Sequence, residues 1–332
     1  MKNRFKTLYS EINKRPDILK FLDGDESISK LFDLPNTLAT HRIILYKSIY
    51  EGVGHTPVYQ LPLPNNNRLH IKSEYFNSMG NSHYSRCWIP YLFVAEVLNI
   101  IIPGETHLIE VTSGNAGIAL AMACEALNYK LTLVIPSFLP DGRVYPMINH
   151  GADIVKVDGY IDKCIHRLKR LVVSNQYFPC NHSEEMADIL VKIDKRISAE
   201  YIRDFGKPDF AIVGLGNGTS TVAIFDYFKK ISNNIKTITF HPDPEKDDLV
   251  FGLFRPIFNL RHIEPALNLS DVRLYTTGRD LSEVKHFFEF DSEIVNFGFS
   301  SLYAIHIAME YANIESNQTF FTIAYDKIDR YL

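Results

Sequence analysis

Two short turns carry residue types that can hold an anion. The first is Thr112-Ser113-Gly114-Asn115-Ala116-Gly117, which leaves an apolar run and opens a helical one. Its hydroxyls, its carboxamide and the open N–H groups of a helix start can together hold a carboxylate or a phosphate. The same residues also make an ordinary capped turn, since Ser and Asn are frequent caps. The second is Gly214-Leu215-Gly216-Asn217-Gly218-Thr219-Ser220, between the apolar run ending at Val213 and another helical stretch. Glycines let the backbone approach an anion closely, and Thr219 and Ser220 add hydroxyl donors at a positive helix end. This turn lacks the last glycine of a dinucleotide fingerprint and the lysine of a P-loop, so it reads either as a different phosphate cradle or as a tight structural turn.

Both turns need a strand before them and a helix after them, and the surrounding pattern supplies these. Short β-rich runs at 106–111, 131–135, 153–157, 210–213, 235–240 and 319–324 alternate with helical stretches at 117–127, 161–174, 187–203, 221–230 and 301–312. That alternation predicts an α/β protein with open, mainly parallel twisted sheets and helices on both faces. Such sheets place ligands beyond the carboxyl ends of their strands, where these two turns fall. Residues 1–50 read as helices of mixed charge, broken at Asp23-Gly24-Asp25 and Pro35-Asn36, and predict an appended cap or oligomerisation segment.

The chain has 332 residues, long enough for two domains. With 46% apolar and 22% charged residues it is ordinary globular material, neither disordered nor collagen-like. A net charge of −4 gives no global grip on nucleic acid or an anionic membrane. Cys87, Cys124, Cys164 and Cys180 form no Cys-x-x-Cys pair, which argues against a zinc cage or redox dithiol and for reduced, mostly buried thiols. No metal site is expected. The segment 2–30 lacks the apolar stretch of a secretory signal and no run is long enough for a bilayer, which predicts a cytoplasmic location. One interval stands out in the lysine distribution: none occurs between Lys72 and Lys130.

Taken in order, the motifs resemble those of the fold-type II pyridoxal-phosphate (PLP) enzymes, within the tryptophan synthase beta-like superfamily and nearest to cysteine synthase (O-acetylserine sulfhydrylase). Gly54-His55-Thr56-Pro57 is similar to that family's G-N-T-P, and Lys72-Ser73-Glu74-Tyr75-Phe76-Asn77 to its K-x-E-x-x-N-P. Residues 112–117 resemble T-S-G-N-T-G, with Ala116 for the second Thr. Pro136, Arg143, Met147 and Gly151-Ala152-Asp153 match the next helix and its G-A-E ending. Gly216-Asn217-Gly218-Thr219-Ser220 resembles G-T-G-G-T, Gly298-Phe299-Ser300-Ser301 resembles G-I-S-S, and Asp329-Arg330-Tyr331-Leu332 resembles G-E-R-Y-L.

The resemblance implies a smaller α/β domain over 68–185 and a larger one from 51–67 and 186–332, preceded by the helical extension 1–50. It implies PLP phosphate on Gly216, Asn217, Gly218, Thr219 and Ser220, and ring contacts from Asn115 and Ser300. Thr112, Ser113, Gly114 and Asn115 would hold the substrate carboxylate. A small amino-acid substrate, a homodimer and a place in amino-acid metabolism also follow from it.

One departure is chemical. The family's S-x-K-x-R carries the Schiff-base lysine, whereas this segment reads Asn77-Ser78-Met79-Gly80-Asn81-Ser82-His83-Tyr84-Ser85-Arg86. Anchoring on Ser82 and Arg86 puts Tyr84 at the lysine position; counting from Asn77 puts His83 there. Neither makes an imine, but imidazole is a workable general base near neutrality, whereas a phenol near 10 needs a large downward shift. The same residues also read as fillers of a vacated pocket. Met79 stands where the family has glycine, Pro146 is expected to interrupt a helix, and 249–268 lacks the family's Q-G-I-G. Lys72 lies inside its own matching motif and does not replace the amine.

The expectation is therefore a cysteine synthase-like enzyme working by β-elimination or β-replacement with non-covalently held PLP or a related phosphate ligand, and His83 or Tyr84 as acid/base. Two alternatives stand beside it. One is a catalytically degenerate pseudoenzyme that keeps amino-acid and phosphate binding for sensing or partner interaction. The other is a repurposed enzyme with a different phosphorylated or nucleotide ligand in the PLP cleft.

Overall fold

The computed structural model describes residues 3–23, 27–174, 177–184, 186–246, 250–254, 260–288 and 291–332. The chain divides into two compact units: residues 1–54, 77–193 and 331–332 form unit 1, and residues 55–76 and 194–330 form unit 2.

Unit 1 opens with α1 (Asn3–Asn13), α2 (Pro16–Asp23) and α3 (Thr40–Tyr50). In unit 2, β1 (Val58–Leu63) and β2 (Asn67–Ser73) form an antiparallel pair. The chain returns to unit 1 as α4 (Ser85–Val97), then alternates β3 (His107–Val111), α5 (Asn115–Leu127), β4 (Lys130–Pro136), α6 (Asp141–Asn149), β5 (Asp153–Val157), α7 (Ile161–Ser174) and β6 (Tyr177–Pro179). The unit boundary falls within α8 (Ala187–Phe205). Unit 2 continues as β7 (Phe210–Gly214), α9 (Thr219–Ile231), β8 (Lys236–His241), α10 (Ile263–Asn268), β9 (Val272–Tyr275), α11 (Ser282–Phe287), α12 (Phe299–Ala312) and β10 (Thr319–Ala324).

Both sheets are open and mainly parallel, with helices on both faces. The order is β5-β4-β3-β6 in unit 1 and β1-β2-β10-β7-β8-β9 in unit 2. Every strand pair except β1–β2 is parallel. The central β7, Phe-Ala-Ile-Val-Gly, is buried throughout, as a strand covered on both faces must be. Each sheet reverses direction once: between β3 and β6 in unit 1, and between β7 and β10 in unit 2. Those reversals are where an open parallel sheet leaves a crevice for ligands.

Three expectations change. The domain boundary expected at residue 68 falls inside β2, which pairs with β1 and β10; the chain leaves unit 2 after residue 76. The first fifty residues are no appended cap, because they belong to unit 1. There Arg42 donates two hydrogen bonds to Glu96, at 2.8 and 2.7 Å. Tyr46 and Tyr129 each donate to the same carboxylate at 2.8 Å. Pro146 lies inside α6 rather than ending it. Residues 24–25 of the expected break, and 249 and 255–259 of the altered segment, lie outside the described residues.

Candidate functional site

The early motifs build framework, not a site. Within unit 1, Asn77 is fully buried and its Oδ1 accepts the Gly54 N–H at 2.8 Å. Within unit 2, Thr56 Oγ1 donates to Glu74 Oε1 at 2.7 Å. Lys72, 1% exposed, donates to the Thr56 carbonyl at 2.6 Å and sits 2.8 Å from Glu200 Oε2. Removing one member of a buried ion pair strands the other charge. Lys72→Met is expected to lower stability by roughly 3–5 kcal/mol, with much of it regained on adding Glu200→Leu. Urea unfolding of the three variants checks this, and an unchanged midpoint for the single variant contradicts it.

Unit 1 brings its candidates into one neighbourhood. Residues 82–86 make a helical turn that feeds α4, with Arg86 N–H donating to the His83 carbonyl at 3.0 Å and Trp88 N–H to the Tyr84 carbonyl at 2.9 Å. His83 is buried and Tyr84 half-buried, and their rings lie 4.1 Å apart between centroids. The 112–115 turn joins β3 to α5, and the Trp88 indole of α4 donates to the Ala116 carbonyl at 2.9 Å, which fixes the two turns side by side. A Cβ on Gly80 would come within 2.5 Å of the Ala119 backbone, so the preceding loop packs on α5 as well.

The 112–115 turn is held from two sides. Thr112 Oγ1 accepts the Gly114 and Gly117 N–H groups at 3.1 and 3.0 Å, so this hydroxyl serves the helix start. Arg143 of α6, 2% exposed, donates to the Ser113 carbonyl at 2.6 Å. Its guanidinium lies 4.6 Å from the Tyr331 ring, and Gly142 N–H donates to the Leu332 carbonyl at 2.7 Å. Gly114 sits at φ +153° with Arg143 where a side chain would go, which only glycine tolerates. Asn115 is the first residue of α5.

Met79 has φ +57°, the left-handed region, where the family pattern has glycine. Met79→Gly is expected to raise stability by about 1 kcal/mol by relieving the Cβ clash; a lower urea midpoint would contradict that.

In unit 2 the 216–220 turn connects β7 to α9. Gly218 has φ +89°, and a Cβ there would lie 2.4 Å from the His262 carbonyl oxygen. Asn217 Oδ1 accepts both the Thr219 N–H, at 3.1 Å, and the Thr219 hydroxyl, at 2.7 Å. Its Nδ2 is a buried donor with no hydrogen bond among the described residues. Ser220 Oγ lies 3.2 Å from Tyr325 Oη, just past β10, so the two meet at this sheet's reversal. Burial pushes the Tyr325 phenol up, against the opposing bond from Ser220. Ser300, 9% exposed, lies in the first turn of α12 after Gly298.

Glu110 and His182 are buried ionisable residues of unit 1 that were not among the sequence candidates. The available signal was position: one is the penultimate residue of β3, two before Thr112, and the other follows β6. Among the described residues no cluster of three or more His, Cys, Asp or Glu is arranged for a metal. No described helix is long and apolar enough to cross a membrane.

Residues 49–268 match the family described as pyridoxal-phosphate dependent enzyme. A probable cysteine synthase of Bacillus subtilis is 29% identical over 251 residues, 69% of this chain and 80% of that protein. Cysteine synthase A of Escherichia coli is 29% identical over 205 residues, 60% of this chain and 62% of that enzyme, so under two thirds of its length is spanned. Among solved structures, a hydrogen sulfide-producing enzyme from Fusobacterium nucleatum superposes with a TM-score of 0.75 at 25% identity, covering 89% of this chain and 100% of that one. An O-acetylserine dependent cystathionine beta-synthase from Helicobacter pylori gives 0.74 at 22% identity, covering 86% and 96%, a likeness of fold.

Proposed function

Because this chain belongs to the pyridoxal-phosphate dependent enzyme family, we propose that it is a cysteine synthase-like enzyme that acts on a small amino acid with PLP held without a covalent lysine link. The reaction class is β-elimination or β-replacement. Bound PLP would supply an electron sink for the carbanion formed when the α-proton leaves. The 216–220 turn would hold its phosphate, with Asn115 and Ser300 at the ring. Ser113, Gly114 and Asn115 would receive the substrate carboxylate, while Thr112 holds the turn's shape. His83, with the Tyr84 ring tilted against it, would accept and return the α-proton. A homodimer and a cytoplasmic location complete the proposal.

The observation that carries this reading is the open donor of Asn217. A buried N–H group without an acceptor costs about 1–3 kcal/mol, and a phosphate oxygen is an acceptor of the right kind at the N-terminus of α9. The residues present therefore fit a phosphate monoester. The test is a binding titration of the purified protein with PLP, pyridoxal and inorganic phosphate, followed by visible spectra on adding amino acids. PLP is expected to bind at least about 10-fold more tightly than pyridoxal, to be displaced by phosphate, and to change its spectrum with serine- or cysteine-like amino acids. No PLP binding, or no spectral response, overturns the proposal.

A specific feature favours the degenerate alternative: Thr112 and Thr219 both spend their hydroxyls inside their own turns. Ligand binding with no turnover of any amino acid would select it. A nucleotide or other phosphorylated molecule found by native mass spectrometry would select the repurposed enzyme.

A further inference from the structure

The reversal of the four-stranded sheet holds a pair of buried ionisable groups with no role in the chemistry above. Glu110, 3% exposed, is in β3, and His182, 7% exposed, follows β6 on the neighbouring position of the sheet. Backbone donors pin the carboxylate: Val111 N–H donates to Oε1 at 2.7 Å and His182 N–H to Oε2 at 3.0 Å. His182 Nδ1 lies 3.4 Å from Oε1 and makes no hydrogen bond of ordinary geometry among the described residues, so this carboxylate is what faces it. The other ring nitrogen, Nε2, lies 3.2 Å from the Ser183 hydroxyl.

One face of α4 and the turn before it wall this imidazole. Tyr84 and Trp88, one helical turn apart, meet the His182 ring nearly edge-on, with centroids 5.7 and 5.9 Å away. Tyr91, on the same face, has a buried hydroxyl with no partner among the described residues, and burial pushes its phenol up, helped by Cys180 and Glu110. Tyr84 thus lies against two imidazoles, tilted by 39° against His83 and edge-on to His182.

A carboxylate facing Nδ1 favours the tautomer with its proton there and leaves Nε2 as the accepting nitrogen. We propose that His182, oriented by Glu110, is a positioning residue of this site that acts through Tyr84, the residue at the lysine position when the segment is anchored on Ser82 and Arg86. The inference rests on the PLP reading above. It replaces one missing amine by a relay of groups: a carboxylate sets an imidazole, and the imidazole sets the ring that borders the reacting centre.

Two measurements test it. In protein carrying 15N-labelled histidine and no ligand, the His182 resonances, assigned by their loss in His182→Asn, are expected to show the Nδ1–H tautomer and to become a mixture in Glu110→Gln. With PLP present, exchange of the amino-acid α-proton in deuterated water is expected to fall about 100-fold in His182→Asn, with PLP affinity and the amino-acid KM within twofold of wild type. Asparagine keeps a donor facing Glu110, so a merely structural histidine would be rescued by it. An Nε2–H tautomer in the wild type, or wild-type exchange in His182→Asn, overturns this inference and leaves the PLP reading standing. A wild-type protein that binds no PLP overturns both.

Discussion

Borohydride reduction of the protein saturated with PLP is expected to leave the wild type without a stoichiometric label on any lysine, and to label Tyr84→Lys at position 84. Borohydride fixes the carbonyl of PLP onto an amine only where the two have condensed, and condensation needs an uncharged, reachable amine. The interval 73–129 holds no lysine, and Lys72, at its edge, is committed within unit 2 to the Glu200 carboxylate and the Thr56 carbonyl. Position 84 is half-buried at the start of α4, where a long side chain keeps an outlet to solvent. His83→Lys is the companion variant. A label there and not in Tyr84→Lys moves the lysine position to 83. Peptide mapping of the three proteins reads the result, and a single stoichiometric label on Lys72 in the wild type ends the non-covalent proposal.

Replacing the buried imidazole of His83 by Ala is expected to slow α-proton exchange by about 10²–10⁴-fold, the range for losing a positioned general base. PLP affinity should change little, because the phosphate contacts proposed above come from the 216–220 turn and not from His83. His83→Asn, which fills the space without titrating between pH 5 and 8, should be as slow as His83→Ala. Recovery in His83→Asn would mean that the residue only fills a pocket, the bland alternative for this position.

Much of the frame was legible where periodicity is strong and local. The helix at 161–174 and the strands at 153–157 and 319–324 have the bounds their patterns predict. β2 was not legible because its buried positions include His70 and Lys72, whose types signal exposure until the Glu200 carboxylate is known. β6 has three residues, and α10 and α11 have six each, too short to show a period. The two anion-type turns were readable from clustered Gly, Ser, Thr and Asn after apolar runs. Asn217's closure on Thr219 was not, since it depends on backbone geometry. Glu110 and His182 were invisible for a different reason: they are 72 positions apart, and only the adjacency of β3 and β6 brings them together.

The place of β2 in its sheet bears on how the chain is made. It is an interior strand, flanked by β1 and β10, and Asn67 is hydrogen bonded to Gln318, 251 positions downstream. During synthesis the β1–β2 hairpin emerges early and must wait for nearly all of the remaining chain before its second neighbour exists. A two-stranded hairpin is marginal in water, and pairings this distant form slowly. Leu69 and Ile71, fully buried in the finished sheet, stay exposed for that interval. The nascent protein therefore carries an open, apolar strand edge through most of translation, the condition under which a chaperone finds a client and a crowded ribosome finds an aggregate.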